Sequence, residues 1–253
     1  MGRILALGIL GTASRKTITV RTVRTVRTVR TVRSVPMGIV PCALLLATLA
    51  EAQAGSSITG AITTTAKGAA PIRVTIDQKV CGQQLPDEAI VVDAQGKLAN
   101  AVILVAGLKR QAPSEATVTN DKCRFSPRVQ LIAAKTNVHT TSNDPVLHTT
   151  HAQLENGRTL FNLAVPIPGL KLSRAINVAS NVRLICNTHP WMRGWMVVSD
   201  EAAAISGADG RFTIANVPAG TYELRVWHET LKGGPQKVTV AAGKPTEISF
   251  QLK

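Results

Sequence analysis

Two short islands in this 253-residue sequence concentrate side chains that bind soft metals. The first reads Asn143-Asp144-Pro145-Val146-Leu147-His148-Thr149-Thr150-His151, and the second Cys186-Asn187-Thr188-His189-Pro190-Trp191-Met192. The second island puts a thiol, an imidazole and a thioether within seven residues, directly after a segment at 182–185 that reads as a strand. One imidazole from the first island completes a set of two His, one Cys and one Met. Soft sulfur and nitrogen donors in that proportion suit copper, with three strong donors in a plane and a weak axial thioether. Zinc also accepts Cys and His, but Met is a poor ligand for it. A single tight loop orders three donors at small entropic cost, so the fourth must come from a strand end held beside it.

The elements that could hold such a site are β-strands. Only 3% of residues are aromatic and 17% charged, while 45% are hydrophobic. A chain rich in Val, Thr, Ala, Ile and Gly favours sheet, argues against coiled coils and helical bundles, and is too apolar to be disordered throughout. Runs at 72–76, 89–93, 101–105, 128–133, 159–163, 175–178 and 182–185 have strand character, with Gly, Pro, Asn and Asp between them. Short strands at this spacing predict an all-β fold of sandwich or barrel type. From about residue 207 the texture changes. Asp209-Gly210 marks a tight turn, and Phe212, Ile214, Tyr222, Leu224, Val226, Val238, Val240, Ile248, Phe250 and Leu252 follow a period of two. That predicts antiparallel strands with one buried face. The piece is too small for a core of its own, and 92–105 is the natural lender of strands. The expected organisation is a leader over 1–54, a first domain over 55–200 and a second over 201–253, with the first domain inserted between halves of the second as the alternative.

The net charge is +14, from 29 Lys and Arg against 15 Asp and Glu. Cutting after Ala54 removes eight of those bases and one acid, which lowers the net charge to +7. The basicity therefore belongs largely to the leader. No basic stripe with stacking aromatics appears, so nucleic acid is not an expected partner. Residues 21–33 repeat Arg-Thr-Val with a period of three, which fits neither a helix face nor a strand face; they read as low-complexity sequence, with Met37 an alternative start, or as an organelle transit peptide. Residues 37–54 then form an apolar run ending in Ala52-Gln53-Ala54. A basic region, an apolar stretch and an A-x-A ending make a secretory signal, too short for a membrane span. Cys42 sits at the start of that run, the wrong place for lipid attachment. The expectation is a periplasmic or secreted protein that begins near Gly55 and has no stable membrane span.

The two islands resemble the cupredoxins, the blue-copper family. Asn143 and His148, with four residues between them, look like the family's first ligand loop, and Cys186 and His189 look like the plastocyanin ligand loop. The resemblance implies a Greek-key cupredoxin-like β-sandwich and one mononuclear copper site with His148, Cys186, His189 and Met192 as ligands. It further implies that the Thr149 N–H points at the Cys186 sulfur, that Asn143 braces the two loops, and that Trp191 and Pro190 form an apolar rim. If His189 is the exposed ligand edge, that rim is where a redox partner protein docks. His151 is the alternative to His148, and Met196 the alternative axial residue. The H-x-x-M spacing looks more like the binuclear centre of cytochrome oxidase subunit II, but that centre needs two loop cysteines and this loop has one. With Cys186 assigned to the metal, Cys81 and Cys123 are left to form a disulfide in an oxidising compartment, or stand as two buried thiols. His139 is expected at the surface and His228 beside Glu229.

The string Asp209-Gly210-Arg211-Phe212 followed by Val217-Pro218-Ala219-Gly220-Thr221-Tyr222 resembles the carboxypeptidase regulatory-like, transthyretin-type sandwich. That likeness implies a scaffold with glycan contact, to which Tyr222 and Trp227 are the aromatic candidates. Signatures of hydrolases, nucleotide binders and zinc proteases are missing from the sequence, so no enzymatic activity is expected. The expected function is single-electron transfer by an exported copper protein. The alternatives are copper carriage without redox turnover, or a structural or carbohydrate-binding β-sandwich of the cell envelope.

Overall fold

The computed structural model describes residues 56–110 and 115–253. The leader, Cys42 and the expected cleavage point at Ala54 lie outside the described residues. Alternation between buried and exposed positions dominates what is described, and the predicted all-β fold is what the structure shows. The one exception is a single helical turn, α1 (Gln78–Cys81).

Among the described residues, eighteen strands make two sandwiches and one small ribbon. In the first sandwich a five-stranded sheet has the order β10 (Thr159–Val165), β9 (His148–Leu154), β12 (Asn181–Ile185), β13 (Arg193–Val198), β7 (Val129–Ile132). It faces a four-stranded sheet of order β11 (Leu172–Ile176), β8 (Thr136–Ser142), β5 (Glu115–Asp121), β6 (Arg124–Ser126). Val118, Phe125, Val138 and Ile176 from one sheet meet Phe161, Val182, Leu184 and Met196 from the other in a continuous core. β8 and β9 carry Thr, Ser and His on their inward faces: Thr136, Thr140 and Ser142 on β8, His148 and Thr150 on β9. That inward polarity is why no apolar run announces these two strands. The Thr140 and Thr150 hydroxyls satisfy one another across the core.

The second sandwich joins β15 (Arg211–Val217), β1 (Ser56–Thr64) and β18 (Thr246–Leu252) to a sheet of order β14 (Glu201–Ile205), β4 (Val102–Lys109), β16 (Gly220–Trp227), β17 (Gln236–Val240). Two features differ from the sequence reading. β1, expected in the first domain, hydrogen-bonds between β15 and β18, and it runs parallel to β18, so this sandwich is not purely antiparallel. The lent strand is β4, which begins within the 92–105 window and runs on to Lys109. The first sandwich therefore sits in sequence between pieces of the second. β4 is buried on both faces: Ile103 and Val105 enter the second core, while Val102 and Leu104 pack against Val129 and Val197 of the first sandwich. A strand covered on both faces reads as a continuous apolar run. The Asp209-Gly210 turn forms as expected. Gly210 has φ +70°, and a Cβ there would lie 2.7 Å from the Ile62 carbonyl oxygen.

Between β1 and β4 the chain forms the ribbon of β2 (Ile72–Arg73) and β3 (Gln84–Leu85), with α1 at its tip. The run at 89–93 contributes only a bridge between Val92 and Leu98. Cys81, at the end of α1, is disulfide-bonded to Cys123 and so fastens this ribbon to the first sandwich.

Candidate metal centre

β9 and β12 are antiparallel neighbours with His151 opposite Ile185, so the start of β9 lies beside the end of β12. This register brings the two islands together at one end of the sheet. Cys186 leaves β12 next to Thr149, and 186–192 is the loop that turns into β13. The Met192 N–H donates to the His189 carbonyl, 3.0 Å, and tightens the loop.

Three donors converge there. The Cys186 sulfur is 3.7 Å from Nδ1 of His189 and 4.0 Å from Nδ1 of His148, and all three residues are buried. The imidazole rings are 4.6 Å apart, centre to centre. Metal–nitrogen and metal–sulfur bonds of about 2.0 and 2.3 Å at trigonal angles would separate sulfur from nitrogen by about 3.7 Å. The cluster thus has the dimensions to hold one ion, and its donors fit copper in type. Met192 and Met196 are both buried in the core that contains Cys186.

Each ring is oriented by a carboxylate on its far nitrogen. Asp144 Oδ2 lies 2.9 Å from His148 Nε2, and Asp77 Oδ2 lies 3.0 Å from His189 Nε2. A carboxylate partner on the far nitrogen fixes each ring's orientation and directs its Nδ1 toward the sulfur. Asp144 is itself held: its two oxygens accept from the Lys122 and Cys123 N–H groups, both 2.8 Å. Those residues form a two-residue hairpin turn between β5 and β6, both with left-handed backbone (φ 50° and 54°). Asp77 precedes α1, but its side chain makes no cap hydrogen bond to the helical turn and goes to His189 instead.

The Thr149 N–H donates to the Cys186 sulfur, 3.4 Å. Burial pushes the Cys186 thiol up, but hydrogen bonds outweigh it, from the His148 ring, the Thr149 and His189 N–H groups and the His189 ring, and bring it down to about 6. A thiol so placed is held as the thiolate that soft metals bind.

Several expectations are corrected. Asn143 does not brace the loops; its side chain donates to Asp121, 3.0 Å, away from the site. Thr149 takes that role, its hydroxyl accepting from the Asn187 N–H at 2.7 Å across the strand pair. His151 faces the other side of β9, where it meets Asn187 and Thr159, so it cannot replace His148; alternation separates residues three apart on a strand. His189 is not an exposed edge but fully buried beneath Asp77, and Trp191 packs over it at 5.2 Å while donating to the Cys123 carbonyl. His139 is half-buried near Glu115 rather than at the surface. His228 does not hydrogen-bond to Glu229, whose oxygens go to Arg128 and Trp195. Asp77, Asp144 and Asn187 escaped the sequence reading. Asp144, four residues before His148, carried a local signal; Asp77 carried none.

Among proteins of known kind, residues 196–253 match the carboxypeptidase regulatory-like domain family. No curated protein matches the chain in sequence. Among solved structures the chain is similar to a purple cupredoxin from Nitrosopumilus maritimus, at 23% identity over 33% of this chain and 99% of that one, TM-score 0.30. It is similar to a copper-containing nitrite reductase from Thermus scotoductus, at 22% identity over 37% of this chain and 24% of that one, TM-score 0.29. It is also similar to amicyanin from Paracoccus versutus, at 16% identity over 38% of this chain and 97% of that one, TM-score 0.31.

Proposed function

We propose that this chain is an exported protein whose His148, Cys186, His189 and Met192 would hold one copper ion, and that it passes single electrons. The observation that carries this reading is the convergence of two Nδ1 atoms and one thiolate sulfur in a buried pocket, with a backbone N–H on the sulfur. Copper, when bound, supplies the one-electron couple. The protein's part is to keep the donors still. β9 and β12 fix the two ligand segments by sheet hydrogen bonds, Asp144 and Asp77 lock the ring orientations, and the Thr149 N–H draws electron density from the sulfur. Burial excludes water from the donors, so little has to reorganise around a change of charge. Export is supported by the signal-like leader and by the Cys81–Cys123 disulfide, which persists in oxidising compartments.

A second reading, copper carriage without a redox partner, is favoured by the sealed position of His189 under Asp77. One equivalent of Cu(II) added to the purified protein should give an intense thiolate-to-copper absorption band that Cys186→Ser abolishes, and a reversible couple by voltammetry. Copper binding without a reversible couple selects carriage. No band at all leaves a scaffold.

A further inference from the structure

Beside the metal centre, on the outer face of the five-stranded sheet, lies a cavity of about 780 Å³. The 72–89 segment walls one side, and Glu229 and Thr230 of the second sandwich another. Its volume is in the range of sites that take small organic ligands.

The charge inside is lopsided. Five arginines line the cavity against three acids, and the acids are already engaged. Glu88 pairs with Arg124 at 2.9 Å, Glu229 holds Arg128 through two contacts of 2.8 and 3.0 Å, and Asp87 accepts from the Ala89 N–H. Arg73, Arg183 and Arg193 line the cavity without a carboxylate partner among the described residues, Arg183 donating through one nitrogen to the Gln153 side chain at 3.2 Å. A planar guanidinium favours a carboxylate in two-point contact, and Arg128 with Glu229 shows that geometry within the same walls. Two indoles complete the lining: Trp195, directly opposite Arg183 on the neighbouring strand, and Trp191 on the metal loop. Both are half-buried, Trp191 against His189 and Trp195 edge-on against Trp227, and each also lines the cavity, where a ligand ring would meet it.

We propose that this cavity binds a small ring-bearing carboxylate, with Arg73, Arg183 and Arg193 taking the acid and Trp191 and Trp195 taking the ring. Such a ligand comes from two sources, an acidic sugar or an aromatic acid, and the two arms of the test separate them. Metal-free full-length protein is titrated with digalacturonate and, separately, with benzoate, and followed by tryptophan fluorescence and calorimetry. Galactose and benzyl alcohol are the uncharged counterparts. Saturable quenching by at least one acid, absent with its neutral counterpart, is the expected result. Arg73→Gln and Arg193→Gln remove exposed side chains, and each should weaken binding by about tenfold, the loss of one charged hydrogen bond, with unchanged melting temperature. No saturable signal from either acid, equal binding of the neutral compounds, or undiminished affinity in the double variant would overturn the proposal. Because no metal is present in this test, its outcome does not depend on whether the protein binds copper.

Discussion

Asp144 and Asp77 do the same work by different means. Each fixes an imidazole by accepting from its far nitrogen, but Asp144 is anchored by two backbone N–H groups of a rigid hairpin, whereas Asp77 sits on a short ribbon and is partly exposed. Replacing either by Asn removes the negative charge that strengthens the ring as a donor. Asp144→Asn is expected to lower copper affinity by about 10- to 100-fold, measured by competition with a chelator of known affinity. A weaker imidazole donor stabilises Cu(II) less, so the reduction potential should rise, which voltammetry would show. Asp77→Asn should act in the same direction and in addition loosen the cover over His189. Unchanged affinity and potential in both variants would mean that neither carboxylate acts on the metal.

The ribbon that carries Asp77 has almost no core of its own. Two short strands and one helical turn are held down by the Cys81–Cys123 disulfide, which closes a span of 42 residues. Loop-closure entropy for that span corresponds to about 4 kcal/mol. A double Cys81→Ser, Cys123→Ser variant should lose stability of that order in guanidinium unfolding. It should also make His189 reactive toward diethyl pyrocarbonate in the metal-free protein, where the intact protein protects it. A variant equally stable, with His189 still protected, would show that packing alone holds the ribbon in place. The disulfide has no counterpart in β9 and β12, whose ladder positions His148 and Cys186 without covalent help.

The two sandwiches share one interface, built from the outer faces of β4, β7 and β13. Arg128 and Glu229 cross it as a bidentate pair, 11% and 7% exposed, with Trp195 donating to the same carboxylate. Arg128→Ala leaves that acid buried and uncompensated, and should cost about 3 kcal/mol in denaturant unfolding. Nearby, His228 Nδ1 accepts from the Thr230 and Leu231 N–H groups, and burial lowers its pKa. The unfolded chain protonates this histidine near its ordinary value of about 6.5, and the folded protein only at lower pH. Its contribution to stability is therefore complete above about pH 6.5 and is lost as pH falls through the folded value. His228→Asn should flatten that acid limb of the melting profile. The segment 201–253 expressed alone should show no cooperative unfolding by circular dichroism, because β1 and β4 supply neighbours that its strands require.

Local chemistry was legible without coordinates: the spacing of Cys186, His189 and Met192 in one loop, the period of two from Phe212 to Leu252, and the Asp209-Gly210 turn each follow from residues close in sequence. What a distant segment does was not legible. Neither the burial of His189 by Asp77, 112 residues earlier, nor the passage of β1 into the second sandwich leaves a periodic trace. Inward-facing Thr and His left β8 and β9 without an apolar run for a related reason, since a polar side chain enters a core only when a partner on another strand satisfies it. Donor types and turns are set by neighbours along the chain, whereas partners, covers and cavities depend on which strands pair.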